Sequence, residues 1–195
     1  MKNYFGIEYN WLEKLATDYS NLEINNEGNE ELLINEIENK LDWKIPIDIR
    51  LFALHFNGIK DMDGIQIFPI TEIEFYKKDP LFNFDNSKKL IPFAKYLYEY
   101  SFLAFNENGN IFKVDHDDSD IRFRYPDFWA FLLVRLLLYV ENPFIYEDMG
   151  LPDIQIDERI KFYSELINEK LIKRNFNFDN ILNPDWSNWK GITTN

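Results

Sequence analysis

EELLINEIENKLDWKIPIDIRLFALHFNG, residues 30–58, is the stretch on which the fold turns. Ile34, Ile37 and Leu41 recur at helical spacing and Leu33 widens the stripe, which predicts a helix over Glu30–Leu41. Asn29 stands where it can cap that helix, and Glu30 and Glu31 suit the positive end of its dipole. Pro46 then opens a second helix, at a position where a missing N–H costs nothing. Ile49, Phe52, Ala53 and Phe56 share its apolar face. Asn57-Gly58 is the expected stop, because both residues tolerate the left-handed conformation that ends most helices.

Beyond Gly58 the period changes from helical to alternating. Gly64 precedes Ile65, Ile67 and Pro69, and Phe102–Phe105 and Ile111–Val114 flank a turn at Asn106-Glu107-Asn108-Gly109. The Asn108-Gly109 pair is a hairpin signal. Ile121, Phe123 and Tyr125 alternate with Arg122 and Arg124, the pattern of a strand with one buried face. Pro126 and Asp127 start an apolar helix that ends near Glu141. Upstream of residue 30, a short helix is expected around Tyr9–Tyr19 with Trp11, Leu12 and Leu15 on one side, followed by a polar linker at Asn25–Asn29. Downstream, Asp153 or Asp157 is placed to cap a helix reaching about Lys173, with Ile160, Tyr163, Ile167 and Leu171 on one face. Phe176, Phe178, Trp186 and Trp189 are expected to pin an irregular tail to the body, since so many aromatics would not stay soluble unpacked. Helices, then meandering strands, then a helix make an α+β domain. The expected divisions are a helical segment and linker over 1–29, a core over 30–141, and a helical extension packed on it over 142–195.

A chain of 195 residues supports one domain with a sizeable core. Cysteine is absent and there are only two histidines, His55 and His116, so thiolate chemistry and a His-rich metal site have nothing to be built from. The stretch Met1–Trp11 lacks the pattern of a secretory signal. The longest apolar run, Phe128–Val140, is broken by Arg135 and falls short of the roughly 20 residues that cross a bilayer. A cytoplasmic protein is the simplest expectation. Its net charge of −13 opposes binding to nucleic acid and anionic lipid, and would steer a basic partner toward it. The alternative reading, of at least equal weight, is that the charge merely keeps an aromatic-rich chain soluble.

Ordered motifs over about 33–133 resemble the SUKH superfamily, which includes the yeast Smi/Knr-type regulators. Ile37-Glu38, Leu41, Ile45-Pro46, Asp48, Phe52 and Asn57-Gly58 look like its leading helix pair. Gly64-Ile65, Phe68 and Glu72-Ile73 are similar to its first strand and the helix start after it. Ile91-Pro92-Phe93-Ala94, Phe102-Leu103-Ala104-Phe105, Gly109 and Ile111–Asp117 complete the match. Asp42 departs from it, standing where the family usually has Gly, and 76–89 reads as an insertion. The resemblance implies a SUKH-like domain of helices packed on a mixed or antiparallel sheet. It also implies an immunity protein that binds and masks a cognate toxin, a basic domain encoded nearby and possessed of nuclease or other cytosolic activity. No catalytic residue, cofactor or metal is implied.

The densest functional-looking cluster is Asp115, His116, Asp117, Asp118 and Asp120. A calcium loop starting at Asp115 would need Gly at its sixth position and Glu at its twelfth, which here are Asp120 and Pro126. A solvated loop is the simpler reading, and a toxin-binding surface the functional one. Asp61 and Asp63 form a second acidic loop open to the same two readings. Arg122 and Arg124 are accounted for by strand alternation. His55, between Leu54 and Phe56, reads as a core-edge histidine, and no serine sits in a G-x-S-x-G context. Toxin neutralisation leads, a regulatory interaction module is the alternative, and a hydrolase using Asp and His has the least support.

Overall fold

In a computed structural model the residues described are 9–19, 22–62, 64–82, 89–116, 120–146, 149, 151–176, 186, 187 and 189. Helices α1 (Asn10–Asp18), α2 (Glu31–Leu41) and α3 (Ile47–His55) precede strand β1 (Ile65–Ile67), a 3-10 turn at Ile70–Glu72 and the short α4 (Ile73–Lys77). Then come β2 (Ile91–Tyr96), β3 (Ser101–Phe105), β4 (Ile111–Asp115) and β5 (Asp120–Tyr125). Helix α5 (Phe128–Glu141), a 3-10 turn at Pro143–Tyr146 and α6 (Asp153–Ile172) follow. The sheet is an antiparallel meander in chain order, β1-β2-β3-β4-β5. This is the α+β domain expected from the sequence, and of the two sheet types it is the antiparallel one.

Helix α5 is apolar on nearly every side, and it is buried accordingly. Phe128 meets Phe52 of α3 at 5.0 Å and Phe93 of β2 at 5.6 Å between ring centroids, so α3 and α5 cover one face of the sheet together. Phe68, Phe82, Leu90, Phe102, Ala104 and Val114 form a smaller core on the opposite face, where Tyr76 of α4 stacks on Phe68 at 3.7 Å. Helices α1 and α6 pair with each other: Tyr163 donates to Asp18, and Arg159 donates to the Asp18 carbonyl. The Tyr19 and Tyr146 hydroxyls lie 2.6 Å apart, and Tyr146 donates to the Val140 carbonyl.

The α2–α3 corner is tied by a buried carboxylate. Glu38 accepts from the Ile45 N–H at 3.1 Å and pairs with Lys44 at 2.8 Å and Arg50 at 3.3 Å. Burial raises its pKa, and the bonds from Lys44 and Ile45 outweigh that and hold it below the usual carboxylate range. Asp42 ends α2 in the left-handed region at φ 49° and ψ 44°. Asp is among the few side chains that visit this region readily. Asp42→Gly is therefore expected to change stability by less than about 0.5 kcal/mol, while Asp42→Val costs about 1–2 kcal/mol. Urea denaturation of the two variants checks this.

Four local expectations are corrected. Asn29 does not cap α2: Glu30 takes that position, and the Asn29 side chain donates to the Ala53 carbonyl and to Asn57 instead, sewing the linker to the end of α3. Helix α3 ends at His55, two residues before Asn57, and Phe56 after it is already extended. Gly58 is needed for a different reason: at φ +89° a Cβ would stand 2.6 Å from the Ile67 carbonyl oxygen. Helix α6 starts after Pro152, without a side-chain cap from Asp153 or Asp157. Finally, β5 does not bury one uniform face. A register shift opposite Ile111/Phe112 turns Tyr125 toward Phe131 of α5, while Ile121 and Phe123 stay on the other side and Phe123 remains 49% exposed.

Phe176 is buried, and Trp186 packs on it and on Tyr125 with its indole N–H on the Arg124 carbonyl. The tail aromatics thus pin to the body as expected, with Phe178 outside the described residues.

Candidate partner-binding surface

One end of the sheet gathers the start of β1, the turn joining β2 to β3, the end of β4 and the start of β5, because an antiparallel meander returns alternate strand ends to the same side. Asp115 and Asp120 are register partners there. Asp115 accepts from Ser101 Oγ at 2.8 Å and lies 3.4 Å from Lys113 Nζ. Asp120 is bonded by Arg122 of its own strand. Asp61 accepts from the Gly64 N–H at 2.8 Å, closing the turn that leads into β1. Gly64 carbonyl in turn accepts from Leu97 at 2.8 Å, which places that turn beside the β2–β3 connection. The structure therefore brings Asp61, Asp115 and Asp120 to one end of the molecule. Asp63, Asp117 and Asp118 lie outside the described residues.

Residues 97–100 link β2 and β3 at the same end, and Leu97, Tyr98 and Tyr100 are exposed, Tyr98 to 86%. Backbone bonds hold the connection in place: His116 N–H donates to the Tyr100 carbonyl at 3.1 Å, extending the β3–β4 ladder. Tyr98 lies against Gly64, whose φ of +76° and lack of a Cβ leave room for the ring. Sequence reasoning missed these tyrosines. The only available signal was two aromatics with a Glu between them at a strand-to-strand junction, and that pattern also describes a core strand.

Lys113 binds this end together. Its Nζ is 2.6 Å from Glu99 and sits 5.0 Å over the Tyr96 ring. That bond is the main reason Glu99 titrates below its ordinary range. Burial alone would lower Lys113, but the Glu99 and Asp115 carboxylates overcome it and raise the pKa.

A second cluster is buried where α3, α5 and α6 converge. Asp48 of α3 accepts from the N–H groups of Phe128 and Trp129, at 2.6 and 3.3 Å, and so caps α5 from another helix. Asp127 caps the same helix through Ala130 and receives the Trp189 indole N–H at 2.7 Å. Arg174 lies 5.7 Å from the ring centres of both Trp129 and Trp189. Burial, helped by the Asp127 charge, pushes Asp48 up to about 7 against the pull of its N–H bonds. Burial likewise raises Asp127, with the Trp189 bond and the Arg174 charge among the groups acting against it. A shallow cleft beside this cluster is lined by Pro46, Asn108, Gly109, Pro126, Asp127 and Trp189. The donors around these acids are backbone N–H groups at helix starts and one indole, with the Arg174 charge nearby, the makings of a structural junction.

His55 packs on Tyr9 at 4.6 Å, with Nδ1 3.0 Å from the Leu51 carbonyl oxygen, at the core edge as expected. His116 Nδ1 is 3.1 Å from the Leu81 carbonyl oxygen. Among the described residues no three His, Asp or Glu side chains converge as metal donors, and no helix is long and apolar enough to cross a membrane. A family model described as SMI1 / KNR4 family (SUKH-1) matches residues 28–133, from the linker through the first half of α5, and this span contains the whole sheet end. No curated protein matches the chain.

Proposed function

Because the chain belongs to the SMI1/KNR4 (SUKH-1) family, we propose that it is an immunity protein, one that masks a cognate toxin by occupying its surface in the cytosol. The observation that carries this reading is the pair Tyr98 and Tyr100, exposed on a connection held by backbone bonds and bordered by Asp61, Glu99, Asp115 and Asp120. Tyrosine is enriched at the centres of protein interfaces, where a ring contributes much area for few rotatable bonds. A surrounding acidic rim on a chain of net charge −13 speeds association with a basic partner. Masking needs complementarity and no chemistry, and a contact of roughly 800 Å² on each side suffices. Asp115 and His116 are already engaged by Ser101, Lys113 and the Leu81 carbonyl, which favours binding over hydrolysis.

The test is co-expression with the product of the adjacent gene. Protection of the host and a stable complex are expected, and Tyr98→Ser combined with Tyr100→Ser should weaken the complex at least 30-fold, the equivalent of about 2 kcal/mol, with the melting temperature unchanged. A complex indifferent to both substitutions would remove the sheet end as the binding surface. A partner without toxicity, bound at the same place, would identify a regulatory module.

A further inference from the structure

We propose that the sheet end takes an arginine side chain of its partner, the guanidinium stacking on the exposed face of Tyr98 or Tyr100 and bonding to a neighbouring carboxylate. The inference rests on the reading of this surface as the binding site and adds the chemistry of its occupant.

The sheet end already contains one such arrangement, made from the chain's own residues. Lys113 Nζ lies 5.0 Å over the Tyr96 ring, is bonded to Glu99 at 2.6 Å and stands 3.4 Å from Asp115. A tyrosine face and two carboxylates thus hold one mostly buried cation beside the turn. Tyr98 and Tyr100, exposed in the turn itself, offer two further rings, and among the described residues neither carries a cation nor packs on another ring. The charges agree with this. Lys113 and Arg122 are both committed, to Glu99 with Asp115 and to Asp120, while Asp61 pairs with no cation among the described residues. Among the described residues the sheet end is left with more carboxylates than cations.

Arginine fits better than lysine for three reasons. Its planar guanidinium stacks flat on a tyrosine, is less strongly hydrated than an ammonium, and keeps N–H groups free at its edge for a carboxylate while stacked. A lysine over the same ring must give up more hydration for a single point contact.

The probe is a short Gly/Ser peptide carrying arginines, compared with the same peptide carrying lysines, titrated into isotope-labelled protein while backbone amide and tyrosine ring signals are followed. The expected result is shifts confined to residues 97–100 and their neighbours at the sheet end, with the arginine peptide binding roughly 3–5-fold tighter than the lysine peptide, as a stacking advantage of this kind predicts. Tyr98→Ser with Tyr100→Ser should abolish the shifts, and Tyr98→Phe should retain them. Equal affinity for the two peptides overturns the arginine inference while leaving the binding surface standing. Shifts mapping elsewhere, or none from either peptide, overturn it as well, and failure of the co-expressed partner to engage residues 97–100 would remove the surface itself.

Discussion

Asp48→Ala is expected to lower the free energy of unfolding by about 2–4 kcal/mol, because it strips the Phe128 and Trp129 N–H groups of their acceptor inside the protein. A lost bond at the surface would be replaced by water, but Asp48 is only 4% exposed. Asp48→Asn keeps an oxygen for those donors and should cost less than half as much. The two variants also separate hydrogen bonding from charge. Asp48 titrates near 7 when folded against an ordinary value of 3.8, so between those values the folded protein holds a proton that the unfolded chain releases. Stability contributed by this group is therefore greatest on the acid side and falls as pH rises toward 7. Other carboxylates, Glu38 and Glu99 among them, are shifted down and tilt the curve the other way. The informative quantity is the difference between wild type and Asp48→Asn, followed by urea denaturation across that range. Wild type should lose ground to the Asn variant as pH rises, and a flat difference would show that ionisation of Asp48 is not linked to folding.

Arg174→Met should be the next most damaging change, at about 2–3 kcal/mol near neutral pH. Arg174 stacks on Trp129 and Trp189 and supplies positive charge to both Asp48 and Asp127. Its removal leaves two carboxylates at a buried junction without that cation. Both are raised by burial, and Asp48, at about 7, is already neutral at mildly acid pH, so the penalty should shrink there. Arg174→Lys keeps the charge, loses the planar stack and should fall in between. Urea midpoints at the two pH values, with tryptophan fluorescence as the local probe, provide the measurement. A loss that does not vary with pH would mean that Arg174 contributes packing alone.

Much of the architecture was legible in the chain. The Ile34, Ile37 and Leu41 stripe, Pro46 and the Asn106–Gly109 turn each act within a few residues of themselves, so local chemistry decided α2, α3 and the β3–β4 hairpin. The places where expectation failed depend on distant partners. Asn29 is a sound cap by type, but the Ala53 carbonyl and Asn57 compete for its side chain. The alternation of Ile121, Phe123 and Tyr125 ignores a bulge that only the pairing with β4 creates. Asp48 reads as a first-turn acid of α3, and its main partners lie 80 and 81 residues further on. Of the surface, the acidic positions Asp61, Asp115 and Asp120 were visible because charge marks solvent. Tyr98 and Tyr100 were not, because an exposed tyrosine and a core tyrosine are the same letter in a strand-like context.

The pairing of α1 with α6 bears on the order of assembly during synthesis. Every strand of the meander pairs with its immediate neighbour, so the sheet and α5 can close as soon as residue 141 has left the ribosome. Helix α1 emerges first yet has to wait, since Tyr163 and Arg159, which hold Asp18, are made more than 140 residues later. Until then its buried face, Trp11, Leu12 and Leu15, has lost part of its cover, and a nascent chain stalled before α6 should be cleaved by protease near α1 while its sheet resists.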